Sequence, residues 1–104
     1  MRMKNKTVLL IGAGQSPGEG TGNGRASALL YAREGARVMA VDLTLDAARE
    51  TVEMILAEGG EASAIAADVR SEASLKAAVD ETIAAWGRID VLHYNVGVSL
   101  AGGD

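Results

Sequence analysis

The chain has 104 residues, of which 48% are hydrophobic and 23% charged, and its net charge is -4 at pH 7. This composition predicts one small globular domain, residues 1–104, and the acidic balance argues against nucleic acid as a partner. The lack of cysteine excludes disulfides and cysteine nucleophiles. No apolar run could span a membrane and no metal-ligand spacing occurs, so we expect a cytoplasmic protein without a metal or a membrane partner.

Predicted strands and helices alternate along the chain. Continuous apolar runs that end at a glycine or an aspartate are typical of buried parallel strands. They predict strands at residues 6–11, 37–41, 62–67 and 89–94. Helical spacing between them predicts helices over residues 25–34, from a Thr44 cap to Gly59, and from a Ser71 cap to Gly87.

Each predicted helix has an apolar face that should contact the sheet. The apolar residues are Leu45, Ala48, Val52, Ile55 and Leu56 in the second helix and Leu75, Val79, Ile83 and Trp86 in the third, while Ala26, Leu29 and Leu30 of the first helix share the spacing of one face with Arg33. We expect Met39 and Met54 in the core and the helical Arg and Glu side chains in solvent. His93, the single histidine, should be packed and hydrogen-bonded within the sheet.

The alternation predicts an α/β fold with a doubly wound parallel sheet in the strand order 3-2-1-4. In that order the fourth strand lies at an edge, although its apolar residues Val91 and Leu92 carry no protecting charge. Exposed apolar edges favour aggregation. We therefore expect further strands to cover this one, and the chain to be a truncated part of a longer protein.

Six of the 13 glycines lie between Gly12 and Gly24, after the first predicted strand. Glycines let the backbone approach a pyrophosphate, and the start of the next helix offers free N–H groups and a positive dipole end. A G-x-x-x-G-x-G spacing occurs twice, and we favour Gly22 and Gly24 because the helical pattern begins directly after them. The alternative is a flexible loop without a ligand.

Asp42 ends the second predicted strand, about 20 residues after this loop. A carboxylate at this place accepts hydrogen bonds from the hydroxyls of adenosine ribose, and it repels a 2′-phosphate. It therefore favours NAD over NADP. The alternative is a solvated acid that opens a turn or competes to cap the second helix.

The two remaining strand ends carry further candidate contacts. Asp68 can accept a hydrogen bond from the adenine amino group while Val69 packs on the ring, or Asp68 can instead cap the third helix. Asn95, Val96 and Gly97 form a small turn that lets the backbone approach a cofactor, or that simply ends the strand.

Several segments, in this order, resemble the opening of a short-chain dehydrogenase/reductase. They are residues 6–14, 22–26, 31–38, 40–43, 67–69 and 86–97, the last similar to the family's W-G-x-I-D-x-L-x-N-N-A-G segment. The resemblance implies a Rossmann fold. It also implies cofactor-binding roles for Gly12, Gly22, Asn23, Gly24, Asp42, Leu43, Asp68, Val69, Asn95, Val96 and Gly97.

Some features depart from the family pattern. Ile11 stands where many members have Thr, and Tyr94 replaces the first Asn of N-N-A-G. The glycine loop is about six residues longer than the common form, so residues 14–20 have no assigned role. The family's catalytic Asn, Ser and Tyr-x-x-x-Lys lie beyond this segment. Neither Tyr31 nor Tyr94 has a lysine four residues on, so we assign no catalytic residue.

The resemblance implies an NAD-dependent oxidoreductase that moves hydride between nicotinamide and a hydroxyl or carbonyl substrate, and that forms a homo-oligomer when complete. One alternative is a non-catalytic NAD-binding module. Another is an S-adenosylmethionine-dependent methyltransferase-like domain, since acids after the second and third strands also suit that ligand. The W-G-x-I-D-x-L segment argues against the methyltransferase.

Overall fold

The computed structural model describes residues 2–13, 23–68 and 70–94, with only the backbone of Asn23. Within these ranges strands and helices alternate in the predicted order. They are β1 (Thr7–Ile11), α1 (Asn23–Arg33), β2 (Arg37–Asp42), α2 (Leu45–Ala57), β3 (Glu61–Ala66), α3 (Glu72–Trp86) and β4 (Val91–Tyr94). The main difference from the prediction is that α1 begins two residues earlier and β4 two residues later.

The four strands form a parallel sheet in the order β3-β2-β1-β4, which confirms the predicted topology. β1 lies at the centre, where Leu9 is opposite Met39 of β2 on one side and Leu92 of β4 on the other. Strand order reverses between β1 and β4, because the chain crosses over β1 and β2 on its way from β3 to β4. Open α/β sheets bind their ligands at such a reversal, outside the carboxyl ends of the strands.

Helices cover both faces of the sheet. On the face of α1 and α2, the buried cluster includes Val8, Leu10, Val38 and Ala40 from the strands and Ala28, Ala48 and Ile55 from the helices. On the face of α3 it comprises Leu9, Ile11, Met39, Val41, Ala67 and Ala78. β1 and β2 are therefore buried on both sides, which explains why their sequences are continuously apolar.

The predicted faces of α1 and α3 are correct only in part. Leu29, Leu75 and Trp86 pack against the buried clusters, as predicted. In α1 the fully buried side chain is Ala28, whereas Leu30 is 60% exposed. In α3 the buried side chains are Ala78 and Thr82, whereas Ile83 is 43% exposed. Small side chains lie at these contacts because they let the helix backbone come close to the sheet.

The second helix follows its prediction more closely. Its buried residues are Ala48, Thr51, Val52 and Ile55, while Leu56 is exposed. The prediction that both methionines lie in the core is confirmed for Met39, which is buried, and wrong for Met54, which is exposed.

Ser71 caps α3 as predicted, since its hydroxyl accepts a hydrogen bond from the N–H of Ser74 at 3.1 Å. Thr44 stands at the cap position of α2 but makes no side-chain cap hydrogen bond. Gly87 ends α3 with a left-handed φ of 80°, and its N–H donates to the carbonyl of Ile83 at 2.7 Å. That backbone conformation favours glycine.

Candidate functional site

Backbone hydrogen bonds join the carboxyl ends of β1, β2 and β3. The N–H of Gly12 donates to the carbonyl of Val41 at 2.7 Å. The carbonyl of the next residue, Asp42, accepts from the N–H of Ala67 at 3.0 Å. Gly12, Asp42 and Asp68 therefore stand side by side along one edge of the sheet. The structure thus brings together three of the residues that the sequence singled out.

The turn out of β1 requires a glycine. Gly12 has a φ of 85°, in the left-handed region that other residues rarely adopt. The next helix, α1, begins at Asn23, and its second residue, Gly24, is buried. The first N–H groups of a helix lack partners inside the helix and lie at the positive end of its dipole. The start of α1 is therefore suited to an anionic group.

Thr51 of α2 holds both ends of the glycine-rich segment. Its hydroxyl donates to the carbonyl of Ala13 at 2.9 Å and accepts from Nε of Arg25, also at 2.9 Å. Arg25 donates in addition to the carbonyl of Ala47 at 3.3 Å and to the carboxylate of Glu50 at 2.9 Å. Ala13 follows β1 and Arg25 lies in the first turn of α1, so α2 fixes the two relative to each other.

Sequence reasoning missed this network. Arg25 was expected in solvent, but its side chain is only 15% exposed. Thr51 is fully buried and was not assigned to the apolar face of α2. A signal was present, because Thr51 lies three residues after Ala48 and next to Val52, on the side of the helix that faces the sheet. A buried polar side chain at such a position needs a hydrogen-bond partner.

Asp42 is the last residue of β2 and is half-buried. One of its carboxylate oxygens accepts from the N–H of Thr44 at 3.1 Å, so the carboxylate opens the turn into α2, as one of the sequence alternatives proposed. A carboxylate can accept several hydrogen bonds at once, so this role is compatible with ligand binding. Leu43 beside it presents an apolar side chain that is 64% exposed.

Asp68 is anchored at the start of α3. Its carboxylate accepts from the guanidinium of Arg70 at 3.1 Å and from the N–H of Arg70 at 2.9 Å, and these hydrogen bonds hold the pKa of the carboxyl below its usual value. The N–H of Asp68 donates to the hydroxyl of Ser74. The alternative that Asp68 caps α3 is wrong, because Ser71 is the cap.

The other predicted contacts cannot be placed on this edge. Gly22, Val69, Asn95, Val96 and Gly97 lie outside the described residues. Their roles, like those of the placed residues, stay predictions.

The expectation for His93 is confirmed. Its Nδ1 lies 2.7 Å from the hydroxyl oxygen of Tyr31, and the two rings meet edge to face with their centroids 5.5 Å apart. This contact joins α1 to β4, so His93 has a packing role in the sheet.

The chain matches the short chain dehydrogenase family over residues 6–103. A sorbitol dehydrogenase of Cereibacter sphaeroides is 44% identical over 95 residues, which make up 91% of this chain and 34% of that protein. An uncharacterized oxidoreductase of Bacillus subtilis is 42% identical over 102 residues, 98% of this chain and 35% of that protein. The crystal structure of a hydroxysteroid dehydrogenase from Escherichia coli matches with a TM-score of 0.85 at 34% identity, covering 93% of this chain and 39% of that one.

The chain therefore belongs to the short-chain dehydrogenase family, and its sheet is the Rossmann fold that the sequence resemblance implied. It spans 34% and 35% of the length of the two relatives named above. Among the described residues, no helix is both long and apolar enough to cross a membrane.

Proposed function

We propose that this chain is the NAD-binding part of a short-chain dehydrogenase/reductase. The observation that carries the proposal is the row of Gly12, Asp42 and Asp68 at the carboxyl edge of the sheet, with the start of α1 tied to the same edge. A dinucleotide needs these groups together: a bare backbone turn and a helix start for the diphosphate, and a carboxylate for the adenosine ribose.

Each residue has a distinct task in this proposal. The turn at Gly12 and the first N–H groups of α1 bind the diphosphate, and the buried Gly24 has no side chain to obstruct it. Asp42 accepts hydrogen bonds from the ribose hydroxyls, while the exposed Leu43 contacts the adenine ring. Asp68 accepts from the adenine amino group and shares its carboxylate with Arg70. Sharing costs little, since exposed ion pairs are weak.

NAD is favoured over NADP by charge. A 2′-phosphate on the adenosine ribose would stand beside the carboxylate that binds the ribose hydroxyls of NAD, and like charges in contact are costly. Asp42 is thus the residue that selects the cofactor in this proposal.

The bound nicotinamide supplies the hydride chemistry. The substrate class we propose is a small molecule with a hydroxyl or carbonyl group. Two similar proteins named for sorbitol and for a hydroxysteroid support this class. Neither Tyr31 nor Tyr94 is followed by a lysine four residues on, so the proton-transferring groups of the complete protein are proposed to lie outside these 104 residues. We also propose that the complete enzyme is cytoplasmic and forms a homo-oligomer.

Calorimetric titration of the 104-residue chain with NAD and with NADP tests the proposal. We expect tighter binding of NAD, and we expect Asp42→Ala to narrow the ratio of the two dissociation constants by roughly ten-fold or more. Asp80→Ala is the matched control, since it removes the same charge from the exposed surface of α3 and should leave the ratio unchanged. Equal affinities of the unmodified chain, or binding of neither nucleotide, would refute the proposal.

A further inference from the structure

The hydroxyl of Thr51 donates one hydrogen bond and accepts another. Its hydroxyl lies 2.9 Å from the carbonyl oxygen of Ala13 and 3.3 Å from that of Ala47. A hydroxyl has a single proton, and the shorter contact is the stronger hydrogen bond. The carbonyl of Ala47 accepts instead from the guanidinium of Arg25, which also donates to the hydroxyl oxygen of Thr51.

Water cannot easily replace these hydrogen bonds. Thr51 and Ala13 are both fully buried, and the side chain of Arg25 is 15% exposed. A buried carbonyl or N–H that loses its partner carries the full cost of its desolvation. Any displacement of Ala13 or Arg25 away from α2 is therefore opposed.

We infer that Thr51 is a positioning residue for cofactor binding. Its hydroxyl ties both ends of the glycine-rich segment to α2, and so sets the position of the Gly12 turn relative to the start of α1. The inference rests on the proposed function, because these two groups are the proposed diphosphate site. Thr51 acts through Ala13 and Arg25 and does not itself touch the cofactor. Without it, the two groups must be ordered when the ligand binds, which weakens binding.

The chain provides a matched control in Thr82. This residue is also a fully buried helical threonine, and its hydroxyl donates to the carbonyl of Ala78 at 2.7 Å. That hydrogen bond stays within α3, whereas those of Thr51 join α2 to β1 and α1. Thr51→Val and Thr82→Val thus remove the same group from the same kind of surroundings.

The first measurement is the NAD affinity of the 104-residue variants by calorimetry. Thr51→Val loses the hydrogen bonds to both Ala13 and Arg25 and should weaken NAD binding about ten-fold, because the two groups must then be ordered when the ligand binds. Thr51→Ser keeps the hydroxyl and should stay within about three-fold of the unmodified chain. Thr82→Val should lower Tm but leave the NAD affinity unchanged. Equal losses of affinity in Thr51→Val and Thr82→Val would overturn the inference.

The second measurement needs no ligand. Amide hydrogen exchange at Gly12 and Ala13, whose N–H groups donate to the carbonyl of Val41, should be faster in Thr51→Val than in the unmodified chain and unaffected in Thr82→Val. If the unmodified chain does not bind NAD, the proposed function fails while this comparison still decides whether Thr51 fixes the loop ends. Unchanged exchange in Thr51→Val would reject the positioning role.

A second variant tests the inference independently, in case Thr51→Val does not fold. Arg25→Met keeps the unbranched stem of the side chain but removes its N–H donors, so it should also weaken NAD binding. If both residues act through the same hydrogen bond, the loss in the double variant falls short of the product of the two single losses. A fully multiplicative loss would show that they act separately and would contradict the inference.

Discussion

The two faces of the sheet differ in how completely the helices cover them. On the face of α1 and α2, Ile55 is fully buried. On the face of α3, Ile83 and Val79 stay 43% and 37% exposed. On the α3 face the cover also falls from the centre of the sheet to its edge, because Leu9 in β1 is buried whereas its neighbour Leu92 in β4 is 61% exposed.

This difference bears on the candidate site. Gly12 directly follows β1, Asp42 ends β2 and Thr51 lies on α2, all in the well-covered part of the molecule. In close-packed surroundings a small displacement loses many favourable contacts, so the groups held there keep their positions. We therefore expect the stability of the chain to be concentrated where the proposed adenosine and diphosphate contacts lie, and the β4 edge to open first.

The largest expected effect comes from shortening one isoleucine on each face. Ile55→Ala removes a fully buried side chain and should lower the free energy of unfolding by about 2–5 kcal/mol. Ile83→Ala makes the same chemical change at a half-exposed position of α3 and should cost less than about 1 kcal/mol. Urea unfolding of both variants measures the difference. Similar losses would mean that the two faces are equally well packed.

A smaller effect distinguishes the ends of α2 and α3. A Cβ at Gly60 would stand 2.7 Å from Cγ2 of the buried Ile55, so Gly60→Ala should cost about 1–3 kcal/mol through crowding. Gly87 has open space but a left-handed φ, so Gly87→Ala should cost about 1–2 kcal/mol through backbone strain alone.

Asparagine separates the two causes. It is larger than alanine but tolerates the left-handed conformation better. Gly87→Asn should therefore be more stable than Gly87→Ala, whereas Gly60→Asn should be less stable than Gly60→Ala. Thermal unfolding of the four variants gives the order, and the same order at both positions would contradict this explanation.

The order of elements could be predicted from the sequence, since apolar runs, caps and glycine stops are local signals. The faces of α1 and α3 could be predicted only in part. In α1 and α3 both large and small apolar residues recur at helical spacing, and the sequence pattern gave weight to the large ones. The structure buries Ala28 and Ala78 instead, because the sheet approaches most closely where side chains are small. Which side of an alanine-rich helix contacts the sheet depends on the shape of the sheet surface, and the sequence of the helix alone does not contain that information.

Part of the candidate site could likewise be predicted from the sequence, and part could not. The placement of Gly12 and Asp42 together follows from parallel strands ending at one edge, which the sequence pattern contains. The roles of Thr51 and Arg25 depend on partners in other elements, since Arg25 reaches 26 positions along the chain to Thr51. A charged residue in the first turn of a helix gives no sign in the sequence that its side chain will be largely buried.

The smallest expected effect at neutral pH concerns the junction of β1 with β4. The carboxylate of Asp90 accepts from the guanidinium of Arg88 and from the N–H of Thr7, the latter at 2.8 Å. These hydrogen bonds hold the pKa of the Asp90 carboxyl below its usual value. A carboxyl whose pKa is lowered by folding stabilises the folded state above the pKa of the unfolded chain, about 4, and this contribution is lost as the pH falls through the folded-state pKa.

Asp90→Asn keeps the size of the side chain and an oxygen that can accept from Thr7, but it removes the titrating group. We expect a small drop in Tm at pH 7 and a shallower fall of Tm between about pH 5 and pH 2 than in the unmodified chain. Part of the fall should persist, because arginine neighbours also lower the pKa of Asp68 and Glu58. Circular dichroism melting at a series of pH values measures this, with Asp80→Asn on the exposed surface of α3 as the control. If Asp90→Asn and the unmodified chain lost the same Tm on acidification, the Asp90 carboxylate would not stabilise the weaker, β4 side of the sheet.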